Sequence, residues 1–240
     1  MSIFVAEIVG TALLLWLGDG VVANVLLKES KGENSGWIVI TTGWGIAVFV
    51  GVFAVAAHSG AHINPAVTLG LLITGGIEAA QVLPYMGGQF IGAFIGAVLV
   101  YLQYLPHWAV TEDPGLKLAV FATGPAIRNT VGNLISEALG TFALVFGVLA
   151  IDGPFMDGGD FGALGALPVA LLVFGIGLSL GGPTGYAINP ARDLSPRIFH
   201  QIAPIPGKGD SDWGYGWIPI VGDFAGGALA ALVYIALGRF

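Results

Sequence analysis

Asn64 and Asn189 stand in the same four-residue word, Ile-Asn-Pro-Ala, at 63–66 and again at 188–191. Each word heads an apolar stretch too short to cross a bilayer, near 64–74 and 189–199. Pro65 and Pro190 suit the first turn of a helix, where a missing N–H costs nothing, and the asparagines suit the N-cap before it, with Ala66 and Ala191 following. Two such half-helices entering from opposite faces would bring their N-termini together near mid-membrane, positive dipole ends and free amide donors aimed at whatever lies between. Backbone left bare at that depth is tolerated only along a water-filled path. Water held there in single file must turn its oxygens toward the asparagine pair, which breaks a proton wire and repels cations. This is the chemistry of a pore. No His-x-x-Glu-His or Gly-x-Ser-x-Gly word is present, so no catalytic residue, bound metal or cofactor is expected. The absence of cysteine excludes disulfides and thiolate metal sites.

The elements that would position these words follow from the composition. Charged residues make up 10% of the chain against about 25% in soluble domains, and hydrophobic residues 55%, too few ions to coat a globule in water. An all-α membrane protein is expected. Glycine, 39 of 240 residues, is the small residue that lets membrane helices approach closely. The net charge of -7 is spread over the loops, so neither a nucleic-acid surface nor an anionic-lipid patch is indicated. Met1-Ser2-Ile3-Phe4 has no basic segment and Glu7 interrupts the first apolar stretch, which therefore reads as a retained helix and not a cleaved signal. Six full crossings are expected near 3–27, 37–57, 83–105, 132–151, 162–180 and 217–237. Polar breaks separate them at 28–34, 106–128, 152–160 and 204–213. An even count puts both termini on one side. Lys28, Lys31, Lys117, Arg128 and Lys208 lie in odd-numbered loops and only Arg239 marks the other face, which by the positive-inside rule would put the termini outside.

The two halves resemble each other. Ala6-Glu7-Ile8-Val9-Gly10-Thr11 returns 130 residues later as Ser136-Glu137-Ala138-Leu139-Gly140-Thr141. The Asn-Pro-Ala words are 125 apart, and the ladder Gly88, Gly92, Gly96 returns 134 later as Gly222, Gly226, Ala230. Three recurrences in the same order at nearly one spacing are not chance. Each half holds three crossings, so the second copy must enter from the opposite face. The expectation is one channel domain over 1–240, built of inverted repeats of about 1–110 and 130–240, with the functional site at their interface.

Gly60-Ala61-His62-Ile63-Asn64-Pro65-Ala66-Val67-Thr68 and Gly185-Tyr186-Ala187-Ile188-Asn189-Pro190-Ala191-Arg192-Asp193 resemble the signature loops of the major intrinsic protein family, the aquaporins and glycerol facilitators. Exclusion of ions by half-helix dipoles and an arginine is that family's known behaviour and not peculiar to this chain. The resemblance implies six membrane helices plus two re-entrant half-helices, a pore in each subunit, a homotetramer, and a bacterial cytoplasmic membrane with cytoplasmic termini. That orientation opposes the Lys and Arg count and takes precedence, because it is tied to the fold.

By the same resemblance, Trp44, Gly177, Tyr186 and Arg192 form a selectivity filter of the glycerol-conducting branch. Gly177 stands where water channels carry histidine, which would widen the constriction. The carbonyls of Gly60, Ala61, His62, Gly185, Tyr186 and Ala187 would line the two half-pores. Glu7 and Glu137 would be structural carboxylates that accept hydrogen bonds from the re-entrant loops. Asp193, Arg197, Pro219 and Ile220 match the solute-conducting pattern. The implied permeants are glycerol, other small polyols, urea, dihydroxyacetone or protonated lactic acid, with water alongside.

Three residues depart from the pattern. Asp19, near a helix end, reads as an outer-vestibule residue. Asp223, within the last helix, reads as a vestibule or capping residue, and His58, beside the first loop, invites a pH-gating role. Two other functions stay open: an ion-coupled secondary transporter with Asp19 and Asp223 as coupling sites, and a mainly water-selective channel.

Overall fold

A computed structural model describes residues 1–151 and 164–238. Ten helices are described, all connected by loops: α1 (Ile3–Leu26), α2 (Trp37–Ser59), α3 (Pro65–Thr74), α4 (Ala79–Gln103), α5 (Leu105–Val110), α6 (Pro114–Phe121), α7 (Thr130–Ile151), α8 (Leu167–Leu180), α9 (Pro190–Ile202) and α10 (Trp213–Ala236). Five of them, α1, α2, α4, α7 and α10, are long and apolar enough to span a bilayer. At 22 to 25 residues they reach about 33 to 38 Å, enough for the hydrocarbon core. The expected crossing 162–180 is described as the 14-residue α8, and residues 162 and 163 lie outside the described part. The expected break at 152–160 and Arg239 also lie outside it.

The glycine ladders are where helices touch. α4 packs along α1, and a Cβ on Gly92 would lie 2.4 Å from the Ile8 carbonyl oxygen. α10 packs along α7 in the same way, with a Cβ on Gly226 only 2.1 Å from the Ala138 oxygen. Without an apolar drive between membrane helices, this backbone-to-backbone approach supplies the dispersion contact that holds them. The short helices cross over: α3 rests on α10, and α9 rests on α4. Each half of the chain therefore clamps the half-helix of the other.

The stretch 106–128, read from its polarity as a break, is folded. It holds α5 and α6, and buries Trp108 and Phe121 against Phe199 of α9. Its basic residues have structural partners, as do other loop cations. Lys117 is buried with its ammonium on the Pro206 carbonyl. Lys208 donates to the carbonyls of His200, Gln201 and Ala203 at 2.6 to 2.7 Å, closing the C-terminal end of α9. Arg128 pairs with Asp212 at 2.5 Å and Lys28 with Glu33 at 2.7 Å. Cations placed to satisfy carbonyls and carboxylates carry little information about sidedness.

Candidate permeation pore

Both re-entrant loops are bent by the same backbone device. Gly60, Ala61 and Ile63 have φ of 76°, 53° and 44°, and Gly185, Tyr186 and Ile188, each 125 residues on, have 84°, 41° and 42°. Left-handed backbone costs about 1–2 kcal/mol at a non-glycine residue, and a β-branched isoleucine resists it most. Four non-glycine residues held this way mark a segment that its surroundings over-determine.

Glu7 and Glu137 do the holding. Glu7, fully buried in α1, accepts from the His62 amide at 3.1 Å and the Ile63 amide at 2.7 Å. Ser59 Oγ at 2.6 Å and Gln89 Nε2 at 2.8 Å complete its shell. Glu137, equally buried in α7, accepts from the amides of Ala187 and Ile188 at 3.1 and 3.2 Å. With the amides tied outward, the loop carbonyls point elsewhere. Those of Gly60, Ala61, His62, Gly185, Tyr186 and Ala187 accept no hydrogen bond from the described protein.

The asparagine tips meet. Asn64 Oδ1 caps α3 through the Ala66 amide at 2.9 Å, and Asn189 Oδ1 caps α9 through the amides of Ala191 and Arg192 at 3.1 and 3.2 Å. Asn64 Nδ2 donates to the Ile188 carbonyl at 2.7 Å, and Asn189 Nδ2 donates to the Ile63 carbonyl at 2.9 Å. The two loops thus grip each other reciprocally. Each side-chain amide has a second N–H left over, and both asparagines border one continuous cavity of about 500 Å³.

One wall of that cavity is apolar: Leu14 of α1, Val48 and Val52 of α2, Leu144 and Val148 of α7, and Val169 and Val173 of α8. The two loops, Gly60–Asn64 and Gly185–Asn189, line the same cavity. Trp44, Tyr186 and Arg192 close on the same space, and the Arg192 guanidinium carbon sits 4.3 Å from the Trp44 ring centroid. Arg192 Nη1 donates to the Phe121 carbonyl at 3.1 Å and to Asp19 Oδ1 at 3.3 Å.

Gly177 does not line the cavity. A Cβ there would lie 2.8 Å from Tyr186 Cζ and 2.9 Å from its hydroxyl, so the missing side chain does not leave an opening. It makes room for the Tyr186 ring. Trp37 braces this corner, donating from Nε1 to the Gly177 carbonyl at 3.0 Å and meeting the Tyr186 ring edge-on at 5.8 Å.

Several other positions stand away from the lumen. Asp19 is in no vestibule: it is fully buried and faces Arg192, because one turn of α1 runs behind the guanidinium. Asp223 is also fully buried, accepts from Thr141 Oγ1 at 3.0 Å and lies beside Glu137, so it neither borders a vestibule nor caps a helix. Asp193 and Arg197, paired at 2.8 Å with no exposure, tie α9 to Thr123 and Ser211. Pro219 and Ile220 sit within α10. None of these six lines the cavity. His62 lines it, while its imidazole reaches back to Thr68 at 3.1 Å and stacks on Tyr85 at 3.8 Å. His58 is exposed, does not line the cavity, and meets the N-terminal amine at 3.2 Å.

Reasoning from sequence missed Phe121, Trp37 and Gln89. Phe121 acts through its backbone, which leaves no side-chain signal. Trp37 has its partner, the Gly177 carbonyl, 140 residues away, with no local spacing to mark it. Gln89, 134 residues before Asp223, was recoverable from the repeat spacing.

The model of the family described as Major intrinsic protein matches residues 1–234. A probable glycerol uptake facilitator protein of Thermotoga maritima is 59% identical over 234 residues, covering 98% of each chain. A glycerol uptake facilitator protein of Streptococcus pneumoniae is 56% identical over 235 residues, again covering 98% of each. Among solved structures, the aquaglyceroporin from Plasmodium falciparum superposes with a TM-score of 0.85 at 31% identity, covering 96% of this chain and 93% of that one. Re-entrant loops gripped tip to tip, membrane-length helices around them and these likenesses agree: the chain is an integral membrane protein that belongs to the major intrinsic protein family.

Proposed function

We propose that the chain is a passive channel that passes glycerol and other small uncharged solutes, with water, down their gradients and refuses ions and protons. One observation carries this reading: a single cavity is lined both by six residues whose backbone carbonyls have no donor in the described protein and by a set of aliphatic side chains. Carbonyls without protein donors are free to accept from a solute, and a polyol offers hydroxyls on one edge and carbon on the other. Trp44 and Tyr186 give its carbon chain two aromatic faces, and Arg192 gives its hydroxyls a fixed donor. Charged species would lose their hydration against the half-helix N-termini at Asn64 and Asn189, whose dipoles oppose cations.

The architecture that supports this is an inverted repeat of about 1–110 and 130–240, four copies to an assembly, each with its own pore. Cytoplasmic termini in a bacterial cytoplasmic membrane fit the bacterial relatives. Aliphatic residues such as Ile38, Leu171 and Leu229, each more than half exposed, would face lipid or a neighbouring subunit. Other small polyols, urea, dihydroxyacetone and protonated lactic acid are further permeants of the same aperture. Ion coupling has no support at Asp19 or Asp223, which are buried off the lumen.

Stopped-flow light scattering of proteoliposomes tests the reading. Glycerol should equilibrate rapidly with or without an ion gradient. Accumulation driven by protons or sodium, or rapid water flux with glycerol excluded, would overturn it. Light scattering of the solubilised protein should give the mass of four chains.

A further inference from the structure

Asp19 has no role in the channel reading so far, yet it is the only acidic side chain in contact with Arg192 among the described residues. It is fully buried in α1, 173 residues from its partner, and its second oxygen has no hydrogen bond in the described protein. A buried carboxylate is kept only where it is paired. The position is not a general need of the fold: 130 residues on, the corresponding residue of α7 is Leu149.

The neighbour sharpens the point. A Cβ on Gly18 would lie 2.3 Å from Trp44 Cζ3, so the indole is seated closely against α1 at a position only glycine leaves open. Gly18 and Asp19 thus fix the ring and the guanidinium stacked on it from one turn of helix. Both hydrogen bonds that hold the guanidinium, to Asp19 Oδ1 and to the Phe121 carbonyl, run through Nη1, and Nε and Nη2 make none with the described protein. The side of Arg192 turned away from Asp19 is therefore the side with donors to spare.

We propose that Asp19 is the positioning residue of the pore's arginine, anchoring Arg192 by Nη1 against Trp44 so that Nε and Nη2 are presented to a permeating solute's hydroxyls. This rests on the reading of Trp44, Tyr186 and Arg192 as the selective constriction. Asp19 touches no solute. It decides which hydrogen bonds Arg192 has left to give, and so how strongly glycerol is favoured over water.

The glycerol-to-water permeability ratio, measured on the same proteoliposomes of the full chain, separates positioning from folding, since fewer folded channels lower both fluxes alike. Asp19→Ala should shift the ratio by about fivefold, the worth of one hydrogen bond at the barrier. Asp19→Asn, which keeps the accepting oxygen, should return it to within about twofold of the parent. In an Arg192→Ala background, Asp19→Ala should shift it no further. Asp19→Ser, too short to reach Nη1, serves in place of alanine if that variant fails to reconstitute. A ratio unmoved by Asp19→Ala or Asp19→Ser while Arg192→Ala moves it would overturn the proposal and leave the constriction standing. The same shift in both backgrounds would overturn it too. A ratio unmoved by Arg192→Ala would instead bring down the constriction itself.

Discussion

In the first re-entrant loop, Glu7 gathers the Ser59 hydroxyl and His62 amide on one oxygen and the Ile63 and Gln89 amides on the other. In the second, Glu137 gathers the Ala187 and Ile188 amides, with Thr184 and Asp223 beside it. Ser59 and Thr184 are 125 residues apart and Gln89 and Asp223 are 134 apart, so the two cradles correspond position by position. They differ in kind at one place, where an amide that donates to both Glu7 and Thr68 is replaced by a second carboxyl. What bends the pore backbone is duplicated, and what closes behind it has drifted. The corner proposed as the filter has drifted further still: Arg192 corresponds to Val67 at the 125-residue offset, and Asp19 to Leu149 at the 130-residue offset. Geometry that orders the asparagine tips is shared by both halves, while the groups proposed to choose among solutes come from one half each.

Glu7→Gln against Glu137→Gln strikes the comparison hardest. Whichever Glu7 oxygen becomes NH₂, a backbone amide, His62 or Ile63, loses its acceptor at about 1–3 kcal/mol, and the side chain that shared that oxygen, Ser59 or Gln89, must turn to accept from the new NH₂. In the second cradle one backbone amide loses its acceptor, while the new NH₂ finds Asp223. The fall in thermal midpoint, followed by tryptophan fluorescence in detergent, should be larger for Glu7→Gln, which must also re-aim a neighbouring side chain. Equal falls would mean that the amide-to-carboxyl exchange has no energetic content.

Gly177→Ala probes the unshared corner. The added methyl would lie 2.8 Å from Tyr186 Cζ, an overpacking that costs about 1–3 kcal/mol if nothing yields. The methyl would also meet Thr41 Cγ2 at 2.9 Å, and Trp37 stands edge-on to the Tyr186 ring, so the ring is expected to yield toward the cavity it lines. Glycerol flux should fall about fivefold or more, with water flux less affected. Adding Tyr186→Leu should recover glycerol flux. Parallel loss of both fluxes would place Gly177 in helix packing alone.

These contrasts mark what one dimension can and cannot display. Crossing lengths, the two capped half-helices and the carboxylates at 7 and 137 were legible because each rests on local spacing or on a repeat. The structure reproduces the five long spans within a few residues. The folded segment 104–121 was hidden by its polarity, since Lys117 and the helix-capping Asp113 look solvated until Pro206 and Gly115 are seen beside them. Asp19 was noticed as a charge in lipid but misplaced, because its partner stands in the other half of the chain. At Gly177 the sequence reported a lost imidazole, and only coordinates reveal the tyrosine that occupies the space.

Trp37→Phe is a milder test of the same corner. It keeps the ring edge against Tyr186 and deletes the Nε1–H bond to the Gly177 carbonyl, worth about 1 kcal/mol. The glycerol-to-water ratio should move by about twofold, in the same direction as Gly177→Ala. A larger shift than that of Gly177→Ala would make Trp37, and not the glycine, the residue that sets the tyrosine.

Asp223→Asn carries the smallest expected effect and the opposite sign. Its Oδ1 can keep the bond from Thr141, and its new Nδ2 supplies Glu137 with a donor, as Gln89 supplies Glu7. Two carboxyls side by side at a buried site cannot both be ionised without strong repulsion, and an amide removes that conflict at every pH. The gain should be about 1 kcal/mol or less, a rise of about 2–4 °C in the thermal midpoint, with glycerol flux per channel unchanged because Asp223 does not reach the lumen. A lower midpoint would mean that the carboxyl pair holds the second loop in a way no amide can, and the two cradles would then differ in mechanism as well as in one side chain.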